Sequence, residues 1–219
     1  MPIPNPNEVK DIFLLRGEVR ANYKHGHALL DYSVLPVKGY VYSGFEDLKQ
    51  LKWDVHYMKL AFMWAEKSCD TSTRNGCIFV DPDDQTQLAA GYNGLPRGVE
   101  PTERRLNERP YKYYWFEHAE RNAIDNAARV GISLMGSTVY LTGYPCASCT
   151  RGLVNVGSKR LVVPENGLFA CREDWQENMG VGARILYEGG VQVQRLVDDF
   201  SGELGENNPL VKDGSGPNV

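Results

Sequence analysis

Residues 118–156 read HAERNAIDNAARVGISLMGSTVYLTGYPCASCTRGLVNV, and the fold prediction starts from this segment. It contains two helical patterns separated by a strand-like run at residues 137–142. Gly131 follows the first helical pattern and Gly157 follows the second, and glycine is common where helices end. A helix, a strand and another helix in this order predict a layered α/β domain.

The same stretch carries three residues that bind zinc in many proteins, namely His118, Cys146 and Cys149. Three protein ligands leave one tetrahedral position for water or substrate, as in catalytic rather than structural zinc sites. Glu120 follows the histidine closely enough to move the protons of that water. The pattern H-x-E…P-C-x-x-C is typical of zinc-dependent base deaminases. We therefore predict a zinc enzyme that replaces an exocyclic amine with oxygen.

Both halves of this motif are predicted to begin a helix. The N-terminus of a helix carries partial positive charge, which favours a cysteine thiolate over the thiol. Pro145 suits a helix start because the first turn has no use for its missing N–H. Zinc would lower the pKa of bound water to about 7, and Glu120 would pass protons to the ring nitrogen and to the leaving ammonia.

The remaining chain alternates between strands and helices. We predict helices at residues 45–68 and 173–187, strands at 76–80, 87–93, 160–163 and 191–193, and a long polar connection at 94–114. The first helix is predicted from an apolar face of Trp53, Tyr57, Leu60, Ala61 and Trp64. Together these elements predict an α/β fold with a mixed five-stranded sheet between helices. We expect an N-terminal extension at 1–45, a catalytic domain at 46–199 and a flexible tail at 200–219.

Charge and cysteine usage narrow the class of protein. The 219 residues include 24 Lys and Arg against 28 Asp and Glu, a net charge of −4. No overall basic field would attract nucleic acid. Five cysteines are an odd number, and two of them form C-x-x-C, so metal binding is favoured over disulfides. We treat Cys69, Cys77 and Cys171 as ordinary thiols. No secretory leader and no run of 18 apolar residues is present, which predicts a cytoplasmic protein without a membrane span.

Four longer stretches make residues 53–196 resemble the deoxycytidylate (dCMP) deaminase family of the cytidine-deaminase-like superfold. They are STRNGC at 72–77, GYNGLPRG at 91–98, YKYYWFEHAERNAI at 111–124 and PCASC at 145–149. The second stretch, followed by a charged connection into His-Ala-Glu, is the most diagnostic. Trp115 and Phe116 are bulkier than the residues usual before this motif.

The resemblance implies a three-layer cytidine-deaminase-like fold and hydrolytic deamination of dCMP to dUMP and ammonia. It implies that Asn93 binds the deoxyribose and that the Ala119 backbone orients the pyrimidine. It also implies a homo-oligomer, a hexamer in many relatives, with dCTP as activator and dTTP as inhibitor. We expect one catalytic zinc ion per chain.

Charged and aromatic residues suggest further substrate contacts. Arginine forks match phosphate geometry, so the arginines of residues 94–114 are candidates for the 5′-phosphate: Arg97, Arg104, Arg105 and Arg109. Glutamates interrupt them, and each could equally be part of a solvated charged loop. Tyr144 could form a wall of the base pocket or belong to the core.

Other functions stay open at this point. A deaminase of another or modified cytidine nucleotide, or of a free nucleoside or base, would use the same zinc motif. A tRNA-editing or single-strand-editing deaminase would use the aromatic residues at 111–116 for stacking, but the acidic charge disfavours it. A non-catalytic zinc module would leave Glu120 without a role.

Overall fold

The computed structural model describes residues 45–164 and 173–196. The predicted tail, and the predicted N-terminal extension apart from Phe45, lie outside the described residues, as does Cys171. The helices are α1 (Phe45–Ala65), α2 (Glu103–Asn107), α3 (Ala119–Val130), α4 (Ala147–Asn155) and α5 (Glu173–Glu188). The strands are β1 (Gly76–Val80), β2 (Gln87–Tyr92), β3 (Thr138–Leu141), β4 (Arg160–Pro164) and β5 (Gln192–Leu196).

The five strands form one mixed sheet in the order β2-β1-β3-β4-β5. Strand β1 pairs antiparallel with β2 and with β3, where Cys77 is opposite Leu141. Strands β3, β4 and β5 are parallel, with Val139 opposite Leu161 and Leu161 opposite Val193. Helices α4 and α5 lie in the crossovers between the parallel strands, as is usual for such connections. The predicted mixed five-stranded sheet is confirmed.

Helices cover both faces of the sheet, which confirms the three layers. Alternate residues of a strand point to opposite faces. Ile78 of β1 therefore belongs to the cluster beneath α1, whereas its neighbour Phe79 belongs to the cluster beneath α3, α4 and α5. All five residues of β1 are buried, which explains its continuous apolar sequence.

Two glycines let helices approach the sheet closely. A Cβ on Gly76 would lie 1.9 Å from the Ala61 carbonyl oxygen of α1. A Cβ on Gly91 would lie 2.4 Å from the Ala123 backbone nitrogen of α3. Any side chain at either position would collide with backbone atoms. Gly76 thus sets how closely α1 packs on one face of the sheet, and Gly91 how closely α3 packs on the other.

The predicted apolar face of α1 is only partly the buried face. Tyr57 and Ala61 are buried as predicted, while the other predicted members are partly exposed. The deepest residues are Met58 and Phe62, together with Asp54. Asp54 is hidden because it accepts hydrogen bonds from Arg160 (2.8 Å) and from the Tyr140 hydroxyl (2.8 Å). Arg160, which is 106 residues away in sequence, thus allows the charged Asp54 to lie on the buried face of α1.

Residues 94–114 are more ordered than the sequence predicted. They contain the short helix α2 and a 3₁₀ turn at Tyr111–Tyr114. The Thr102 hydroxyl caps α2 by accepting from Arg105 N at 3.4 Å. The guanidinium of Arg104 stacks on Tyr111 and that of Arg105 stacks on Trp115, each 4.0 Å from the ring centroid. Within the described residues, no helix is long and apolar enough to span a membrane.

Candidate active site

Two helix starts bring the predicted metal ligands together. His118 is the last extended residue before α3, and Cys146 is the last extended residue before α4. The His118 N–H donates to Glu117 Oε1 at 3.0 Å, and Cys146 Sγ accepts from the Cys149 N–H at 3.5 Å. The second bond satisfies an N–H that has no partner within the helix. Each ligand turn is therefore held by local hydrogen bonds.

The three ligand atoms form a compact triangle. His118 Nδ1 lies 3.6 Å from Cys146 Sγ and 3.3 Å from Cys149 Sγ. All three atoms lie within 4.8 Å of one another. Zinc bonds of about 2.0 Å to nitrogen and 2.3 Å to sulfur give tetrahedral nitrogen–sulfur edges of about 3.5 Å. The donor set and its spacing therefore fit a zinc ion with three protein ligands.

The electrostatics of the triangle favour a thiolate at Cys146. A hydrogen bond from the Cys149 thiol is the largest cause, and with the His118 ring it lowers the pKa of Cys146 to about 4 despite partial burial. The hydrogen bond to Cys146 in turn raises the pKa of His118 to about 9. The pKa of Cys149 is raised, chiefly because its proton is shared with Cys146 and because it is buried. The triangle thus holds one thiolate beside two protonated groups, and binding of a zinc ion would release the protons of His118 and Cys149.

Glu120 lies in the first turn of α3, with 5% of its surface exposed. Burial is the main reason why its pKa is raised, and the charge of Cys146 adds to the effect. The nearby His118 and the Cys149 thiol act in the opposite direction. Buried carboxyl groups with raised pKa values are common among catalytic acids and bases. The predicted catalytic role of Glu120 stays a prediction.

Residues 51–165 match the family model described as the cytidine and deoxycytidylate deaminase zinc-binding region. The chain belongs to this deaminase family. Human deoxycytidylate deaminase is 31% identical over 157 residues, covering 69% of this chain and 83% of the relative. The mouse deoxycytidylate deaminase is 27% identical over the same coverage. The apo crystal structure of dCMP deaminase from cyanophage S-TIM5 has a TM-score of 0.52 at 26% identity, covering 66% of this chain and 98% of that one.

The matching relatives make the chain a hydrolytic deaminase of the dCMP deaminase family, as the sequence predicted. The roles of individual residues remain predictions. Ala119 is fully buried between His118 and Glu120. Tyr144 is also buried and packs within the core cluster beneath α3, α4 and α5. This position favours the core interpretation of Tyr144.

In this deaminase, Asn93 organises the loop that precedes β1. Its Oδ1 accepts from Asn75 N at 2.7 Å, and its Nδ2 donates to the Thr73 carbonyl at 2.8 Å. Ser68 Oγ donates to its backbone carbonyl at 2.6 Å. Asn93 is 8% exposed, and most of its hydrogen-bonding capacity is directed into the protein. The predicted contact with deoxyribose stays a prediction.

The four candidate arginines of the deaminase separate into two groups. Arg97 hydrogen-bonds Asn126 of α3, Arg104 pairs with Glu108 (2.8 Å), and Arg105 donates to the Glu100 carbonyl (2.8 Å). Arg109 instead donates to Ser72 Oγ at 3.1 Å. Ser72 also accepts from the buried Lys112 ammonium at 2.9 Å. Only Arg109 among the four thus joins the loop that Asn93 organises.

Sequence reasoning missed residues that surround this site. The buried Asp70 and Lys112 form a polar cluster with the partly buried Ser72. Trp175 and Asn178 of α5 lie beside the ligand turns. The local turn at Asp70, whose carboxylate accepts from the Ser72 and Thr73 N–H groups, has a recognisable Asp-x-Ser-Thr sequence. The other contacts join residues far apart in sequence and leave no local pattern.

Proposed function

We propose that this chain converts dCMP to dUMP and ammonia by zinc-dependent hydrolysis. The proposal rests on one observation: His118, Cys146 and Cys149 form a triangle of metal-binding atoms, and the buried Glu120 lies in the helix turn next to it. The human and mouse relatives are deoxycytidylate deaminases, and another S-TIM5 structure was solved in complex with dCMP and dUMP. Membership of the family supports the chemistry, and these relatives favour the nucleotide.

His118, Cys146 and Cys149 would hold one zinc ion per chain. Their spacing fits tetrahedral geometry, and the low pKa of Cys146 supplies an anionic sulfur ligand. When bound, zinc would supply Lewis acidity that makes water nucleophilic at neutral pH. Three protein ligands leave room for that water, whereas a structural site would close the fourth position.

Glu120 would hold and move the protons of the reaction. Its carboxylate takes one proton from the attacking water and delivers it to the ring nitrogen next to the reacting carbon. Glu120 would then take the remaining proton of the added hydroxyl group and deliver it to the amine. The C=O bond forms as the C–N bond breaks, and ammonia leaves. Its burial supports this role because a carboxyl group with a raised pKa is an effective donor as well as an acceptor.

Arg109 is our candidate for the substrate phosphate. Its guanidinium is partly exposed and donates to Ser72, next to the Lys112 ammonium. Asn93 links the loop that carries Ser72 to the predicted active site. Its backbone N–H donates to the Asn75 carbonyl, and the next residue, Gly94, pairs with Glu117, which precedes His118. Arg109 is the accessible cation at this position, because the Lys112 side chain is buried and paired with Asp70. An arginine fork suits a phosphate dianion. The internal partners of the other three arginines disfavour them.

A second candidate substrate is a single-stranded nucleic acid. Tyr113 and Tyr114 are 43% and 80% exposed, in the turn that leads to His118. Exposed aromatic rings next to arginines can stack unpaired bases. The net charge of −4 opposes such binding, so we place it second. Regulation by dCTP and dTTP and assembly into a hexamer remain predictions from the resemblance.

The test is ammonia release from dCMP, CMP, deoxycytidine, dAMP and a cytosine-containing single strand, with zinc measured in the same preparation. We expect rapid turnover of dCMP and much weaker turnover of the other compounds. Turnover of the single strand alone would replace the proposal by the second candidate. Zinc binding without turnover of any of these compounds would refute dCMP deamination.

A further inference from the structure

The indole of Trp175 lies against a predicted metal ligand instead of in the core. Its ring centroid is 6.1 Å from that of His118, with an interplanar angle of 36°. Trp175 is partly exposed and belongs to neither of the two hydrophobic clusters formed by the described residues. Trp53 and Trp64 are also partly exposed, but they pack against the apolar cluster beneath α1. The Trp175 indole differs from them because it lies beside a polar residue, His118.

One face of α5 holds Trp175 in this position. Asn178 Oδ1 accepts from the Ala147 N–H at 2.8 Å. A Cβ on Gly182 would lie 2.9 Å from Thr150 Oγ1 and 3.0 Å from the Pro145 carbonyl, so α5 is pressed against the ligand turn. Positions 175, 178 and 182 are spaced i, i+3 and i+7, which places them on one helix face. Trp175 is thus held at the end of the face that packs on the cysteine turn.

We propose that Trp175 is a substrate-contacting residue whose indole packs on the pyrimidine ring. A base that reacts at the triangle must lie close to His118. Aromatic rings interact at centroid distances of about 4.5–7 Å, and the indole already lies within that range of the histidine ring. Tyr144 lies in the core cluster, whereas Trp175 is partly exposed beside His118, so among the described residues we assign this wall to Trp175. This inference rests on the proposed function and assigns its base-binding wall.

The test compares Trp175→Phe and Trp175→Ala with wild type in steady-state kinetics on dCMP. Stacking of a base on an aromatic side chain contributes enough that alanine should raise KM by about 5- to 150-fold. We expect kcat to change less than KM, phenylalanine to restore most of the affinity, and bound zinc to stay at the wild-type level. Trp64→Phe is the matched control, because Trp64 also stacks at 6.1 Å, but on Tyr92.

A direct binding readout separates this inference from the proposed function. Addition of dUMP should quench tryptophan fluorescence in wild type and in Trp64→Phe, and much less in Trp175→Phe. Absence of dCMP turnover with intact quenching would refute the substrate assignment and leave Trp175 as a pyrimidine contact. Loss of zinc in both Trp175 variants, unchanged KM in Trp175→Ala, or equal quenching in all three proteins would overturn the role of Trp175.

Discussion

Lys112 Nζ lies 2.9 Å from Asp70 Oδ1, and the two side chains are only 4% and 7% exposed. This ion pair joins residues 42 positions apart. Asp70 also accepts from the Ser72 and Thr73 N–H groups, at 2.8 and 3.1 Å. Buried charges are tolerated when they are paired and hydrogen-bonded in this way. The pair fastens the 3₁₀ turn before His118 to the loop before β1.

Breaking this pair should destabilise the protein strongly. Lys112→Met leaves the Asp70 carboxylate buried without its cation, which typically costs about 3–5 kcal/mol. Urea unfolding would measure the loss. The control is Arg104→Met, because the Arg104–Glu108 pair is 62% and 53% exposed and such pairs contribute about 0–1 kcal/mol. Equal small losses in both variants would contradict a structural role for the buried pair.

Asp70 should also make stability depend on acid. Burial raises the pKa of Asp70, but the hydrogen bond from Lys112 and those from the Ser72 and Thr73 N–H groups outweigh it, so its pKa is lowered. The unfolded chain has a pKa of about 3.9 for aspartate and binds the proton more readily. The contribution of Asp70 is therefore present above that pH and is lost as pH falls through the lower folded pKa.

We expect the stability gap between wild type and Asp70→Asn to narrow as pH is lowered from about 6 toward 3. Urea midpoints measured across this range would show it. Asp84→Asn is a useful comparison, because the pKa of Asp84 is lowered by hydrogen bonding to Thr86 in an exposed turn. If the difference in stability between wild type and Asp70→Asn did not change with pH, the pKa of Asp70 would not be lowered on folding.

Glu120→Gln should separate proton transfer from metal binding. Glutamine keeps the size of the side chain but cannot relay a proton, so kcat should fall by at least about 10²–10⁴-fold. Zinc content should remain that of wild type, because Glu120 is not one of the three predicted ligands. Loss of zinc from this variant would instead make Glu120 part of the metal site.

Substitution of a predicted metal ligand should instead weaken zinc binding itself. Cys149→Ser replaces a buried sulfur of the triangle and should release zinc to a chelator far more readily than wild type. Cys69→Ser is the matched control, since Cys69 is exposed and lies outside the triangle. The measurement is zinc retained after dialysis against increasing chelator. Similar retention in all three proteins would argue against the assigned ligand.

Arg109→Met should discriminate between nucleotide and nucleoside. Hydrogen bonds to charged groups contribute about 1.5–3 kcal/mol, so KM for dCMP should rise by about 10- to 150-fold. KM for deoxycytidine, which has no phosphate, should not change. Arg97→Met should leave both substrates unaffected, because Arg97 bonds to Asn126 of α3. If Arg97→Met raised KM for dCMP more than Arg109→Met does, the phosphate contact would be assigned to Arg97 instead.

The first helix, α1, could be predicted from the sequence, but which of its residues are buried could not. Apolar spacing located α1, but it selected Trp53 and Trp64, which are partly exposed, over Met58 and Phe62, which are buried. Periodicity records which residues are apolar and not which neighbours they meet. Asp54 lies inside because Arg160, at a separation of 106 residues, supplies its counter-charge. No pattern local to the helix contains that information.

Elements whose causes are local could be predicted from the amino-acid sequence alone. Period-two and helical patterns and glycine stops located the five strands and every helix except α2. The two ligand motifs predicted the grouping of His118, Cys146 and Cys149 that the structure shows, and they also predicted the catalytic role of Glu120, which stays a prediction. Tertiary structure decided which distant side chains meet. It brought Arg109 and Lys112 to Ser72, and Trp175 to His118. These contacts depend on how helices and loops pack across the sheet, which is a property of the whole chain and not of any one segment.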